Sequence, residues 1–176
     1  RAAPEATPVP TIEGTPAIAG AGPDSVPPSP HAGPLVTQID FYTHVADRFE
    51  TAGKLCGKAF AQKLRVLVLT PDEATSARMD RLLWSQPAIG FVPHVRGRDP
   101  LAAVTPIVVD HDPAGIDHDG VLVNLLPETP ELFSRFKRVI EIVGPDELAE
   151  GRARYRFYRD RGYDIRLHDL GQTTGG

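Results

Sequence analysis

A single cysteine, Cys56, is all that this 176-residue sequence contains, so it has neither an internal disulfide nor a cysteine-based zinc site. No run approaches the roughly 18 apolar residues of a membrane-spanning helix. The first residues lack a basic stretch followed by a continuous apolar one, so a secretory signal is not expected. Together these absences predict a protein of the reducing cytoplasm, without membrane attachment. Aromatic residues are scarce at 7%, and none falls in residues 1–37, which instead hold nine of the 18 prolines. Such a segment cannot bury enough apolar surface to offset its ordering entropy. Residues 1–37 are therefore predicted to be a disordered, Pro/Ala/Gly-rich extension, 38–170 the folded domain and 171–176 a flexible tail. The formal charge of −4 gives no global attraction to nucleic acid or anionic membrane.

What is present is an alternation of strand and helix patterns. Residues 38–42 alternate polar and apolar, as a strand with two unlike faces does. Val45, Phe49, Ala52, Cys56 and Phe60 recur at spacings of three and four, predicting an amphipathic helix over 45–62. Residues 64–69 form a near-continuous apolar run, the profile of a buried parallel strand. Thr70 reads as an N-cap, with Pro71 opening a helix toward Trp84. Pro87 and Pro93 break the next stretch into loop. Further strands are predicted at 107–109, 121–126 and 139–143, with a short helix opening at Thr129-Pro130-Glu131. A last helix over 146–161 ends at Gly162, and residues 163–167 alternate as an edge strand. Strands separated by helices imply an α/β fold, a three-layer sandwich around a mostly parallel sheet.

Such a sheet invites a search for a nucleotide site. A phosphate loop needs four residues between its glycines, then Lys and Ser/Thr. The nearest string, Gly53 to Ala59, has three between the glycines and Ala in place of the hydroxyl; it also lies inside a predicted helix. No dinucleotide-binding glycine pattern follows any strand. Two acidic turns, Asp110-His111-Asp112 and Asp117-His118-Asp119, offer imidazole and carboxylate donors to a divalent metal and keep a metal-dependent hydrolase open as an alternative. Solvated turns are the ordinary reading, so no metal site is assigned. Cys56 sits on an apolar stripe with no base near it in sequence and reads as a core residue. No serine lies in a nucleophile elbow. No catalytic residue is assigned and no cofactor is expected.

The last helix is the most unusual part. Residues 151–166 hold six arginines against Asp160 and Asp164, a local charge of +4, whereas residues 110–131 hold six acids and no Lys or Arg. Arg152, Tyr155, Arg156 and Arg159 fall at i, i+3, i+4 and i+7, on one helix face. Guanidinium forks beside an aromatic ring suit an anionic, partly apolar ligand, either an acidic peptide ending in a carboxylate or a nucleic-acid strand. A solvated basic face, with its aromatics turned inward, is the plain alternative. Trp84 and Phe91 form a second candidate: large aromatics near a proline-broken loop are either core plugs or anchors for a partner.

Residues 79–94, MDRLLWSQPAIGFVPH, resemble the LD-x-x-LW-x-x-P-x-x-x-FVPH signature of the chi subunit of bacterial DNA polymerase III. Residues 152–163, RARYRFYRDRGY, are similar to that family's final helix, R-x-R-Y-K-x-Y-R-x-x-G-F. The resemblance is collinear from about Ile39 to Leu170 and leaves residues 1–37 outside it. It implies a Rossmann-like topology related to helicase nucleotide-binding domains but without a phosphate loop. It also implies a non-catalytic accessory protein of DNA replication, reaching DNA indirectly. Two partners are implied: the psi subunit of the clamp loader, and the acidic C-terminal tail of single-stranded DNA-binding protein. Carried over by position, Arg152 clamps the tail's terminal carboxylate, Tyr155, Arg156 and Arg159 line the same groove, and Val143 forms its apolar floor. Trp84 and Phe91 fall on the psi-binding face, which the resemblance also offers to a repair helicase. Two positions depart from the family pattern: Arg156 replaces Lys, and Leu148 stands where a basic residue is expected.

Overall fold

The computed structural model describes residues 37–86 and 90–171; of the expected extension, 1–37, and the expected tail, 171–176, all but Thr37 and Gly171 lie outside the described residues. The elements are β1 (Gln38–Thr43), α1 (Arg48–Ala61), β2 (Val66–Leu69), α2 (Glu73–Ser85), β3 (His94–Arg96), β4 (Ile107–Asp110), β5 (Val121–Asn124), β6 (Arg138–Ile142), α3 (Leu148–Asp160) and β7 (Asp164–Asp169). The strands form a seven-stranded sheet in the order β3-β4-β2-β5-β6-β1-β7. Every neighbouring pair is parallel.

The apolar runs explain this arrangement. A parallel sheet is covered on both faces, so its central strands carry apolar residues at successive positions. In β2, Val66 and Val68 meet Ala52, Cys56, Met79 and Leu83 of α1 and α2. Leu67 and Leu69 point the other way, into a cluster with Phe133, Phe136 and Tyr158 of α3. That is the three-layer sandwich. Cys56 is fully buried in the first cluster, and burial pushes its thiol up to about 12, so it is a core residue. The Gly53–Gly57 string lies within α1, where its amides serve the helix.

The structure departs from the sequence expectations at element ends. The N-cap of α2 is Asp72, which accepts from Thr75 N at 2.7 Å. Thr70 is buried at the end of β2 and spends its hydroxyl on Ser76 instead. Residues 94–96, expected as loop, form the edge strand β3 against β4, a segment too short to show a period. The short helix expected near Thr129 is a 3₁₀ turn, Glu131–Arg135, and another 3₁₀ turn, Pro145–Glu147, precedes α3. Gly162 ends α3 at φ 81°. Its N–H donates to Arg159 O and that of Tyr163 to Tyr158 O, the paired bonds of a Schellman cap. Thr37 is buried and donates to Phe136 O at 2.7 Å.

β1 is locked to both neighbours by the buried Asp40, which accepts from Arg138 Nε at 2.5 Å on β6 and is paired with His168 Nε2 at 2.8 Å on β7. Burial alone would raise this carboxyl; the hydrogen bonds from Arg138 and His168 outweigh it and hold the carboxyl below its ordinary value. Its stabilising contribution is therefore full above the unfolded value, near 4, and is lost as pH falls through the depressed folded one. Urea midpoints measured from pH 6 to pH 3 should fall steeply in the wild type and less steeply in Asp40→Asn.

Candidate functional site

α3 is set on the sheet by a close approach at Gly151. A Cβ there would lie 2.6 Å from Val143 Cγ1, so only glycine lets the helix settle directly over the C-terminal end of β6. Tyr155, one turn on, packs edge-to-face against Phe41 of β1, with ring centroids 5.5 Å apart. A groove of about 580 Å³ opens beside this seam. Val143, Arg152, Tyr155, Arg156 and Arg159 all line it, joined by Phe41, His44, Leu148 and Leu167. The structure thus brings together in one groove the five residues singled out from sequence.

The groove has two chemical characters. Its floor and walls are apolar: Phe41 and Val143 are buried, while Leu148 and Leu167 offer exposed aliphatic surface. Its rim is cationic. Arg152 and Arg156 are exposed and, among the described residues, neither side chain has a hydrogen bond or ion pair. Arg159 meets Asp160 Oδ1 at 3.0 Å, an exposed pair that contributes little and opens readily. His44 adds a left-handed residue to the wall, at φ 54°, with its Nδ1 2.8 Å from Asp169 Oδ1.

Arg154 does not belong to this basic face. It is 2% exposed. Its Nε donates to Glu141 Oε2 at 2.7 Å and its Nη1 to Pro127 O. Glu141, fully buried on β6, also accepts from Tyr158 Oη at 2.7 Å and from Asn124 Nδ2 at 3.0 Å. Burial pushes the Glu141 carboxyl up against the pull of Arg154, Tyr158 and Asn124. Burial and the neighbouring Glu141 likewise raise the Tyr158 hydroxyl, which remains a donor. This cluster pins α3 to β5 and β6, and it removes one arginine from the charge that solvent meets. Its signal in the sequence was a lone glutamate inside an apolar strand. Phe41, His44 and Leu167 carried no comparable signal, because only the tertiary fold brings β1 and β7 to the groove.

A second surface lies at the end of α2. Trp84 is 61% exposed and Phe91 70%, with ring centroids 5.8 Å apart. Trp84 also rests 4.8 Å from the ring of His94, which is buried and held through Nδ1 to Val92 O. The two aromatics are exposed and do not plug the core.

The two acidic turns do not form the donor set that a metal hydrolase requires. Asp110 is buried and accepts from the backbone N–H groups of Gly97, His111 and Asp112, so its carboxylate braces the turn. His118 is buried, with Nε2 on Thr105 O at 2.8 Å. Among the described residues no three His, Cys, Asp or Glu side chains are placed to hold a metal ion, and no helix is long and apolar enough to cross a membrane.

Comparison with known proteins follows the same residues. The sequence profile of the family described as DNA polymerase III chi subunit, HolC, matches residues 36–166. A DNA polymerase III subunit chi of Pseudomonas aeruginosa is 31% identical over 141 residues, covering 77% of this chain and 98% of that protein. A DNA polymerase III subunit chi of Haemophilus influenzae is 26% identical over 125 residues, 69% of this chain and 87% of that protein. A third, of Escherichia coli, is 29% identical over 104 residues, 57% of this chain and 71% of that protein.

Proposed function

The chain belongs to the DNA polymerase III chi subunit family, and from that premise we propose that it is a non-catalytic accessory subunit which joins the clamp loader, through psi, to the acidic C-terminal tail of single-stranded DNA-binding protein. The observation that carries the tail assignment is the pairing of two guanidiniums without a partner among the described residues, Arg152 and Arg156, with an apolar floor at Val143. A peptide ending in an aromatic residue presents an apolar side chain next to a terminal carboxylate. The side chain enters the floor, and Arg152 takes the carboxylate in a forked, charge-assisted contact. Arg156 and Arg159 then face acidic residues further up the tail. Leu148, on the same groove, extends the apolar wall where the family pattern has a cation, which reduces long-range attraction more than the clamp itself.

Titration with an acidic peptide ending Asp-Phe tests this assignment. The free-acid peptide is expected to bind, and its C-terminal amide to bind at least several-fold more weakly. Equal affinities would remove the carboxylate clamp. The alternative of direct nucleic-acid binding by α3 is weakened because Arg154 faces Glu141 rather than solvent.

The exposed Trp84–Phe91 pair is the proposed psi surface, and the same face would serve a repair helicase. Aromatic anchors carry a large share of interface energy when a partner buries them. Trp84→Ala is expected to cost about 2 kcal/mol or more of psi affinity and to leave tail-peptide affinity unchanged. Calorimetry with each partner checks this; loss of both bindings together would mean misfolding.

A further inference from the structure

The strands begin at the opposite end of the sheet from the groove, and there a trough crosses the starts of β2, β5 and β6. One part, of about 340 Å³, is lined by Lys63, Arg65, Lys137, Arg138 and Asp119. It continues past Leu64, Val121 and Arg138 into a hollow of about 210 Å³ that adds Lys58. Five cations thus face one carboxylate, in a chain whose formal charge is −4.

The cations are of two kinds. Both arginines are spent inside the fold: Arg65 donates to Ala103 O and Arg138 to Asp40. The ammoniums of Lys58, Lys63 and Lys137 are exposed and have no hydrogen bond or ion pair among the described residues. Lys63 is held there at a conformational cost. It sits at φ 61° just past the end of α1, where Lys63 N donates to Phe60 O and Leu64 N to Ala59 O. That position normally takes glycine, because a Cβ strains the left-handed region. The helix dipole rewards a cation in the last turn, which Lys58 already supplies. It gives no reason for lysine at the strained position.

We propose that this trough binds the phosphate backbone of a single nucleic-acid strand. With the guanidinium forks engaged internally, what remains is a row of point charges, suited to a diffuse polyanion and not to forked recognition of carboxylates. The tail groove lies at the C-terminal ends of β1 and β6, so both surfaces can be filled at once. A chain holding a coating protein's tail at one end would touch the coated strand at the other.

The test is fluorescence anisotropy of the full chain with a labelled oligothymidylate of about fifteen nucleotides at low salt. Binding is expected, with log K falling against log salt with a slope of about −2, the value for three single-strand phosphate contacts. Lys137→Glu should weaken binding about tenfold and Lys63→Gly about threefold. Lys63→Gly should also hold or raise Tm, since glycine relieves the strain, so its lost binding cannot be misfolding. Neither change should alter affinity for the tail peptide. Absence of oligonucleotide binding, indifference to both lysine changes, or equal competition by polyglutamate would overturn the proposal. Binding lost in Arg152→Ala but kept in both lysine variants would move the strand to α3 and overturn it equally.

Discussion

Arg154→Ala is expected to destabilise the protein by about 3–5 kcal/mol, as loss of one partner of a buried ion pair does. Glu141 would be left in the interior with only Tyr158 and Asn124 as donors, and of the side-chain bonds from α3 to β6 only that of Tyr158 would remain. Mean domain stability is only about 5–15 kcal/mol, so the variant should unfold at a sharply lower urea midpoint. Arg152→Ala, two residues earlier and exposed, should shift stability by less than about 0.5 kcal/mol. Replacing Arg154 and Glu141 together by leucine and methionine should recover much of the loss, because no buried charge is then stranded. If Arg154→Ala unfolds within about 1 kcal/mol of the wild type, the cluster does not hold α3 in place.

The same Arg152→Ala change should cost tail-peptide binding about 1–3 kcal/mol, the range for a lost charge-assisted hydrogen bond. That is a drop of roughly 5- to 150-fold. Coupling makes the result specific. If Arg152 holds the terminal carboxylate, amidating the peptide weakens binding to the wild type and changes little in Arg152→Ala. Independent, additive losses would place the carboxylate elsewhere on the rim. Because Arg152 has no partner among the described residues, the truncation strands no other group of the fold, and the measured loss belongs to the ligand.

The contrast between Arg152 and Arg154 shows how far the sequence could be read. Apolar runs located β2, β4, β5 and β6 because burial on both faces leaves a continuous stretch. Gly162 marked the end of α3 because a Schellman cap needs a left-handed residue. Of the five groove residues, four share a helical spacing in the sequence, and Val143 is marked only by the family resemblance. The charge count was less secure. A string of arginines does not reveal which one turns inward, and the answer lay in Glu141, distant in sequence and opposite in space. β3 leaves no pattern for another reason: three residues at a sheet edge owe their conformation to Ile107 and its neighbours more than to their own sequence. Asp72 displaced Thr70 as the cap because the core had already claimed the threonine hydroxyl.

The place of β1 in the sheet has a consequence for synthesis. Gln38, in the first of the described strands, pairs with Arg138 on one side and Asp164 on the other, so β1 must wait for β6 and β7. Contacts this distant along the chain close slowly and only after most of it has left the ribosome. The groove beside α3 draws Phe41 from β1, Val143 from the end of β6, its arginines from α3 and Leu167 from β7. A nascent or truncated chain therefore cannot display it. On the proposed function, capacity to bind the tail peptide would certify completed folding, and an unfinished copy would present no competing site.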